Sequence, residues 1–181
     1  HAYALNASNS LEQLSKKLIE QSYDNSRAVQ ILPVKKSGLR RNWTLLSIED
    51  QIVYQAVALE IKSKIHAKVS KRYTKNVFGH MLSPVQSIYF FQKWNKGYAC
   101  YIQQINRNIE DGKKWCATFD IASCYDTINH NLLERRLIEC KLDRKIIQLL
   151  MHWLLNWNNS KYDEEFDLKV GIPQGPMASK L

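Results

Sequence analysis

The residues most able to do chemistry lie in the segment 118–130, Thr-Phe-Asp-Ile-Ala-Ser-Cys-Tyr-Asp-Thr-Ile-Asn-His. An apolar lead-in precedes Asp120, Tyr125 follows five residues later, and Asp126 comes directly after it. A carboxylate at the end of a strand can hold a divalent cation, and a main-chain oxygen such as that of Ile121 suits the same ion. An aromatic ring one turn further on can lie under a nucleotide sugar. The spacing therefore predicts metal-dependent phosphoryl transfer.

Each of these residues also has a structural interpretation. An aspartate after an apolar strand commonly caps a helix or forms a salt bridge, and Tyr125 taken alone would be assigned to the core. Asp126 is expected to hydrogen-bond locally or to cap the helix that follows. His130 is expected to have a structural role.

The loop Gly171-Ile-Pro-Gln-Gly-Pro176 is a second candidate segment. Gly171 and Gly175 would let the backbone approach a substrate closely, and Pro173 and Pro176 would stiffen the loop. The alternative is an ordinary proline-glycine turn. Residues 177–181 have the character of the first turn of a helix, so we expect the chain to be a fragment of a longer protein.

The composition favours a polyanionic partner. Lys and Arg outnumber Asp and Glu by 26 to 17, for a formal net charge of +9, although a basic solvated surface is the alternative. The four cysteines have no Cys-x-x-Cys spacing, so we expect reduced cytosolic thiols and no zinc site. No apolar run approaches the roughly 20 residues of a membrane span. The 181 residues, 45% of them hydrophobic, suffice for the core of one domain.

The elements that must position the candidate residues begin with a helix and a hairpin. Ser10 opens a capping-box sequence with leucines following at helical spacing. Residues 29–34 and 43–46 are typical of two strands joined by a basic turn. Ser47-Ile-Glu-Asp50 is a second capping box and predicts a helix that reaches about Lys64.

The second half of the chain predicts more helices and two more strands, so the fold class is α+β. Pro84 predicts the start of a helix that carries many aromatic residues. Trp153 and Trp157 are expected to pack in the core. The other predicted elements are a buried strand over 115–120, helices over 131–140 and 143–157, and a strand over 166–170.

Three segments resemble motifs of reverse transcriptases. Residues 119–130 resemble the first catalytic motif of the bacterial group that includes group II intron and retron enzymes. Residues 171–179, Gly-Ile-Pro-Gln-Gly-Pro-Met-Ala-Ser, resemble the next motif, a Pro-Gln-Gly loop that opens a helix. Residues 41–50 resemble the fingers segment in which an arginine precedes an Asp-capped helix. Residues 77–80 and 94–98 are most similar to the abortive-infection and phage-defence enzymes.

The resemblance implies an α+β fold made of the fingers and part of the palm of a right-hand polymerase, with an antiparallel sheet backed by helices. It divides the chain into an N-terminal helical segment over 1–28, fingers over 29–110 and a partial palm over 111–181. The thumb and the second acidic motif, aromatic-x-Asp-Asp, are missing from this scheme, and the sequence contains no Asp-Asp pair. The chain alone is therefore not expected to polymerise.

The resemblance also implies roles for single residues. Asp120 would be the catalytic metal-binding carboxylate, with the main-chain oxygen of Ile121 beside it. Tyr125 would exclude a 2′-hydroxyl by steric clash, and Gln174 would lie over the incoming nucleotide. The other expected nucleotide contacts are Arg41 for the triphosphate, with Arg40 as its competitor, Lys35 and Lys36 for the outer phosphates, and Gly175. For the four basic residues the alternative is a solvated turn.

A basic stretch over 66–80 could contact template phosphates. Its candidate residues are Lys71, Arg72 and Lys75. The aromatic residues over 89–101 could stack on bases. Because aromatic residues at helical spacing more often belong to a core, we assign them to the core here.

The function implied is that of an RNA-directed DNA polymerase which adds deoxynucleotides by two-metal phosphoryl transfer with Mg²⁺ or Mn²⁺. Its partners would be an RNA or DNA template and primer and deoxynucleoside triphosphates, with no membrane and with a homo-oligomer left open. Its setting would be antiphage defence in the bacterial cytoplasm. The alternative is a non-catalytic nucleic-acid-binding module on a polymerase scaffold, and a third interpretation is a toxin-like domain that acts through a partner.

Overall fold

The computed structural model describes residues 2–34, 38, 40, 42–159 and 169–180. Helices and one two-stranded antiparallel sheet form its regular structure, which is the mixed class that the sequence predicts. No helix in this part of the chain is long and apolar enough to cross a membrane. The elements are α1 (Ala2–Leu5), α2 (Ala7–Ile19), β1 (Val29–Ile31), β2 (Trp43–Leu45), α3 (Ile48–Val69), α4 (Trp94–Glu110), α5 (Cys124–Thr127), α6 (His130–Glu139) and α7 (Arg144–Asn159), with 3₁₀ turns over Ser70–Arg72 and Met177–Lys180.

Helix α7 is the centre of the core. Ile147, Leu150, Leu154 and Trp157 recur at helical spacing and are each at most 3% exposed. A stripe with this period buries one side of a helix, and α7 packs through it against α3 and α6. Burial of each such side chain is worth about 1.5–3 kcal/mol. Trp153 is buried as well, which confirms the expected packing role of both tryptophans.

Helix α3 begins where its capping sequence predicts. The Ser47 hydroxyl accepts a hydrogen bond from Asp50 N at 3.1 Å, and the helix continues past Lys64 to Val69. Asp50 is itself buried, and the Tyr23 hydroxyl donates to its Oδ1 at 2.6 Å. Burial, together with this carboxylate, raises the pKa of Tyr23. The start of α3 is thereby tied to the segment that follows α2.

Strands β1 and β2 form the predicted hairpin, with Val29 opposite Leu45. Strand β1 is shorter than predicted, and an isolated antiparallel bridge between Val34 and Arg40 extends the pairing toward the turn. The hairpin matters for the site because it brings Arg40 and Asn42 beside Gln174, which lies near the other end of the chain.

The loop that follows Val170 is fixed beside α5 by main-chain hydrogen bonds. Gly171 N donates to Ile128 O at 2.7 Å, and Ile172 N donates to Tyr125 O at 2.8 Å. These bonds hold the loop against the segment that carries the candidate aromatic ring.

Two side chains then hold the Gly171 carbonyl oxygen. His130 Nε2 donates to it at 2.6 Å and Asn158 Nδ2 donates to it at 2.6 Å. Both side chains are buried. The structure therefore gives His130 the structural contact that was expected of it, between α6 and the loop.

The far side of the same loop is joined to the hairpin. Thr44 N in β2 donates to Gln174 O at 2.8 Å. Gly175 has φ +136°, and a Cβ built on it would lie 3.3 Å from Thr44 O. A glycine is needed here because a side chain would combine an unfavourable φ with a tight contact to β2.

Helix α4 begins at Trp94, so the helix predicted from Pro84 starts too early. The loop before α4 is held by a buried lysine, because Lys62 Nζ donates to Ser83 Oγ at 3.1 Å and to Tyr89 O at 3.3 Å. Lys62 is 1% exposed, and burial lowers the pKa of its amine. These long-range contacts outweigh the local preference of proline for a helix start.

The core assignment of the aromatic residues over 89–101 holds for Phe90 and Phe91, of which Phe90 is buried and Phe91 packs against the core. It is wrong for the aromatic residues of α4. Trp94, Tyr98 and Tyr101 are 79%, 55% and 45% exposed. Gly97 is the buried residue of the helix, because a Cβ there would lie 2.0 Å from Phe78 O. The helix continues through Gly97 and meets the rest of the chain at that point.

The predicted strand over 115–120 is also wrong. The segment pairs with no other described strand, and Trp115 and Phe119 are 96% and 90% exposed. The residue types over 115–120 favour a strand. A strand forms, however, only where a neighbouring strand shares its hydrogen bonds and packs on its face.

Two further boundaries differ from the predictions. Helix α2 begins at Ala7, so Ser10 lies inside the helix and does not cap it. The strand predicted over 166–170 lies outside the described residues except for Lys169 and Val170, and Val170 forms an isolated bridge with Asn129.

Tyr54 and Ser179 allow a test of how the last 3₁₀ turn is attached to α3. The Ser179 hydroxyl donates to Tyr54 Oη at 3.1 Å in the core. Tyr54→Phe should therefore lower the free energy of unfolding by about 1 kcal/mol. Urea unfolding measures this, and Tyr89→Phe is the control because Tyr89 is an exposed tyrosine.

The same variant has an expected pH dependence. Burial raises the pKa of Tyr54 to about 12, whereas a phenol in the unfolded chain ionises near pH ~10. The stability that the neutral phenol contributes is thus complete below pH ~10 and is lost as the pH rises toward the folded-state value. Wild type should lose more stability than Tyr54→Phe in this window, and equal losses would contradict the buried position of the phenol.

Gly171 offers a second test, with a matched control elsewhere in the chain. Gly171 has φ +90° and a Cβ there would lie 3.2 Å from Asn158 Nδ2, whereas Gly112 has φ +82° and open space around it. Both alanine variants incur the cost of a left-handed backbone, which is roughly 1 kcal/mol. Gly171→Ala should cost about 1–2 kcal/mol more in urea unfolding, because the Asn158 contact must also shift. Equal costs would show that the side-chain contacts around the loop are not tight.

Candidate functional site

A cleft of about 340 Å³ lies where the hairpin, the segment around Asp120 and the Gly171 loop meet. Four residues predicted for the site line it, and they come from distant parts of the sequence. These are Asp120, Ile121, Tyr125 and Gln174. The structure therefore brings together the two motifs that the sequence separates by about fifty residues.

A left-handed residue makes the turn that shapes one wall of the cleft. Ser123 has φ +48°, and its carbonyl accepts hydrogen bonds from Asp126 N at 2.9 Å and Thr127 N at 3.1 Å. The chain thus turns at Ser123 and enters α5. The turn places Tyr125 on the same cleft as the carboxylate.

The two carboxylates of the cleft differ in their surroundings. Asp120 is exposed and has no hydrogen bond or ion pair to another described residue. Asp126 is half-buried, and Asn42 Nδ2 donates to its Oδ2 at 3.4 Å. This contact joins Asp126 to the hairpin, 84 residues away, so it is not the local hydrogen bond that was expected of Asp126. Asp120 is the more accessible of the two carboxylates.

The aromatic wall and the loop wall are both held in place. Tyr125 is half-buried and packs against the hydrophobic core, while its carbonyl oxygen accepts from Ile172 N. Gln174 is fixed through its main chain to β2. Main-chain hydrogen bonds therefore fix the positions of Tyr125 and Gln174 on two sides of the cleft.

The basic residues predicted for the site have different outcomes. Arg40 lines the cleft and places a positive charge beside the two carboxylates. Lys35, Lys36 and Arg41 lie outside the described residues. Gly175 follows Gln174 in the chain but does not itself line the cleft. Its close neighbour is Thr44 O in β2.

The residues predicted to contact nucleic acid form a separate surface. Lys71 and Arg72 belong to the 3₁₀ turn after α3, and Lys75 lies in the turn that follows. All three are exposed, and none lines the cleft.

Several residues of the site could not be recognised from the sequence. Asn42 and Ser123 line the cleft, and Asn158 holds the loop beside it from α7. Asn42 follows the basic turn and could have been considered as a polar neighbour of Arg40. Nothing in the sequence marks Asn158, because its contact is with a main-chain oxygen thirteen residues away.

The cleft fits a single divalent cation better than a pair. Magnesium commonly takes one or two protein carboxylates and completes its shell with waters and phosphate oxygens, and Asp120 with the main chain of Ile121 could supply the protein part of that set. Within the described ranges, no three His, Cys, Asp or Glu side chains converge on one point. A second cation would need another carboxylate.

Comparison with known proteins gives one family. A family model described as reverse transcriptase (RNA-dependent DNA polymerase) matches residues 33–181, a range that includes β2, both motifs and every residue of the cleft. No curated protein matches the chain. Because the match covers well over half of the 181 residues, the chain belongs to the reverse transcriptase family.

Proposed function

We propose that this protein is an RNA-directed DNA polymerase and that the cleft binds the incoming deoxynucleoside triphosphate. The observation that carries the proposal is the gathering of Asp120, Tyr125 and Gln174 with Arg40 around one polar cleft of about 340 Å³. The carboxylate would hold the cation that accompanies the triphosphate, and the aromatic ring would lie under the sugar. The amide would face the base, and the guanidinium would bind the phosphates.

Asp120 and the main-chain oxygen of Ile121 would hold Mg²⁺ or Mn²⁺. When bound, such a cation polarises phosphate oxygens and activates an attacking hydroxyl. The role of the protein is to present this carboxylate at the cleft, and Asp120 is exposed there. Asp126 supports the wall through Asn42.

Tyr125 and Gln174 would set which nucleotide is accepted. A half-buried ring that is packed against the core cannot move aside easily, so a ribose 2′-hydroxyl would meet it as a clash. Arg40 would contact the triphosphate, because a planar guanidinium binds two phosphate oxygens at once. Arg41, Lys35 and Lys36 are proposed to contribute further phosphate contacts from the turn of the hairpin.

The larger organisation is proposed from the family. Residues 29–110 would form the fingers and 111–181 part of the palm, after an N-terminal helical segment over 1–28. The carboxylate pair for a second cation is not in this sequence, so it would come from additional residues or from another chain. The exposed extended segment over 115–120 is suited to pair with such residues.

The biological setting is proposed from resemblance in the sequence. Residues 77–80 and 94–98 are similar to the phage-defence branch, so the enzyme would act in the bacterial cytoplasm in antiphage defence, with an RNA or DNA template and primer.

A second candidate function is a nucleic-acid-binding module without catalysis. The net charge of +9 and the missing Asp-Asp pair favour it. The exposed Asp120, which makes no hydrogen bond or ion pair to another described residue, favours the enzyme instead, because a binding module has no need to keep an acid exposed in a basic protein.

The experiment that separates the two is nucleotide incorporation by the protein expressed from its complete reading frame. Asp120→Asn should lower incorporation of labelled deoxynucleotide with Mg²⁺ by at least about 100-fold, because a metal-bound carboxylate supplies several kcal/mol at the transition state. Asp111→Asn is the control, since Asp111 is an exposed acid in a turn outside the cleft. Incorporation that persists in Asp120→Asn would refute the proposal.

A further inference from the structure

Helix α4 carries a row of exposed aromatic rings. Trp94, Tyr98 and Tyr101 recur at a spacing of four and then three residues, which places them on one face of the helix. Neighbouring rings have centroids 6.1 Å and 6.4 Å apart. All three are largely exposed. Large aromatic side chains on a surface are costly unless they serve a contact, so the row needs an explanation.

The row ends at a small aromatic pocket. A pocket of about 220 Å³ lies between the loop at residues 78–81 and the start of α4. Phe78, Phe91 and Trp94 supply its aromatic walls, and Gln92 and Lys93 supply polar groups. The volume is below that of the pockets that hold drug-sized ligands, and it suits one flat heterocyclic ring.

The walls of the pocket are preformed. Gln92 N donates to Met81 O at 2.8 Å, and the Gln92 side chain donates to Leu82 O at 3.0 Å. The His80 ring packs on Phe91 with centroids 5.4 Å apart. His80 also has φ +45°, a conformation that non-glycine residues adopt rarely and that is often found at binding sites.

The pocket and the row form one surface. Phe78 connects the two, because it lines the pocket and its ring packs against Tyr101 of the row with centroids 5.7 Å apart. The main-chain oxygen of Phe78 lies directly against Gly97 of α4, where a side chain on residue 97 would clash with it. A ligand that enters the pocket would therefore continue along the row.

Positive charge lies at the entrance to this surface. Lys93 lines the pocket, and Lys71, Arg72 and Lys75 are in the turns that lead to Phe78. None of the ion pairs between described residues involves these four cations. Cations without an ion pair to another described residue, together with a row of rings, match a strand whose backbone is anionic and whose bases are flat.

We propose that the α4 surface binds an unpaired stretch of nucleic acid, with one base in the aromatic pocket and the next bases on Trp94, Tyr98 and Tyr101. The inference rests on the proposed function for the class of partner, and it adds a binding site that is separate from the cleft. Aromatic stacking accepts any base, so the surface would bind single strands with little sequence preference. Its use would be to hold template ahead of, or behind, the copied position.

The test is the affinity of the purified protein for fluorescein-labelled oligo(dT), measured by fluorescence anisotropy without added metal. Trp94→Ala should raise Kd roughly 10-fold, because loss of one base–aromatic stack has about this effect. Trp94→Phe keeps a ring and should recover most of the affinity. Trp115→Ala is the matched control, because it removes an even more exposed tryptophan outside the surface. If Trp94→Ala and Trp115→Ala have the same Kd, the inference is wrong.

A second variant tests the charged part of the surface. Lys75→Ala should weaken binding modestly and reduce the slope of log Kd against log salt by about one, as expected for one phosphate contact. A protein partner is the competing explanation, since Ile102 and Ile109 extend the exposed face of α4. In that case Trp94→Ala would change the sedimentation behaviour of the protein and leave oligo(dT) affinity unchanged, which would overturn the inference.

The binding assay and the incorporation assay fail independently. A protein that binds oligo(dT) through Trp94 but incorporates no nucleotide would refute the proposed function alone. If incorporation depends on Asp120 but wild type and Trp94→Ala bind oligo(dT) with the same Kd, this inference alone is refuted.

Discussion

The position of the candidate site depends on one main-chain oxygen, the carbonyl of Gly171. His130 from α6 and Asn158 from α7 both donate to it at 2.6 Å. A carbonyl oxygen has two lone pairs, and a buried one that is left without donors is costly. With both positions filled, the loop is tied to the two helices that form the core, and α7 is the most deeply buried of these. The rigidity of the core is thereby transmitted to a surface loop.

The cleft follows from that attachment. Once Gly171 is fixed, the main chain of the loop bonds to Tyr125 on one side and to Thr44 on the other. The hairpin and the segment around Tyr125, which are far apart in the sequence, are then held on two sides of the cleft, which Asp120 also lines. Because these anchors are main-chain bonds, they do not use the side chains of Tyr125 and Gln174. Arg40 from the hairpin and the acids Asp120 and Asp126 line that space together, so the cleft carries charge of both signs, as the proposed binding of a metal-bound triphosphate requires.

Locally determined features could be predicted from the sequence. The hairpin, the Ser47 cap of α3 and the buried stripe of α7 depend on turn residues, on one side-chain bond and on periodicity, and all three were found. The predictions failed where distant contacts decide. The segment before α4 forms a loop because Lys62 binds it from another helix, and residues 115–120 have the sequence of a strand but no described partner. For the site, motif residues such as Tyr125 could be named, whereas Asn158 could not.

The central claim is that the cleft is where the nucleotide binds, and photo-crosslinking tests it most directly. The protein would be irradiated with iododeoxyuridine triphosphate and Mg²⁺, digested, and the modified peptides sequenced by mass spectrometry. We expect labelled peptides that contain Tyr125 or Gln174, and loss of labelling when the metal is chelated. Labelling that is insensitive to chelation, or that falls on α4 and spares both cleft peptides, would contradict the account.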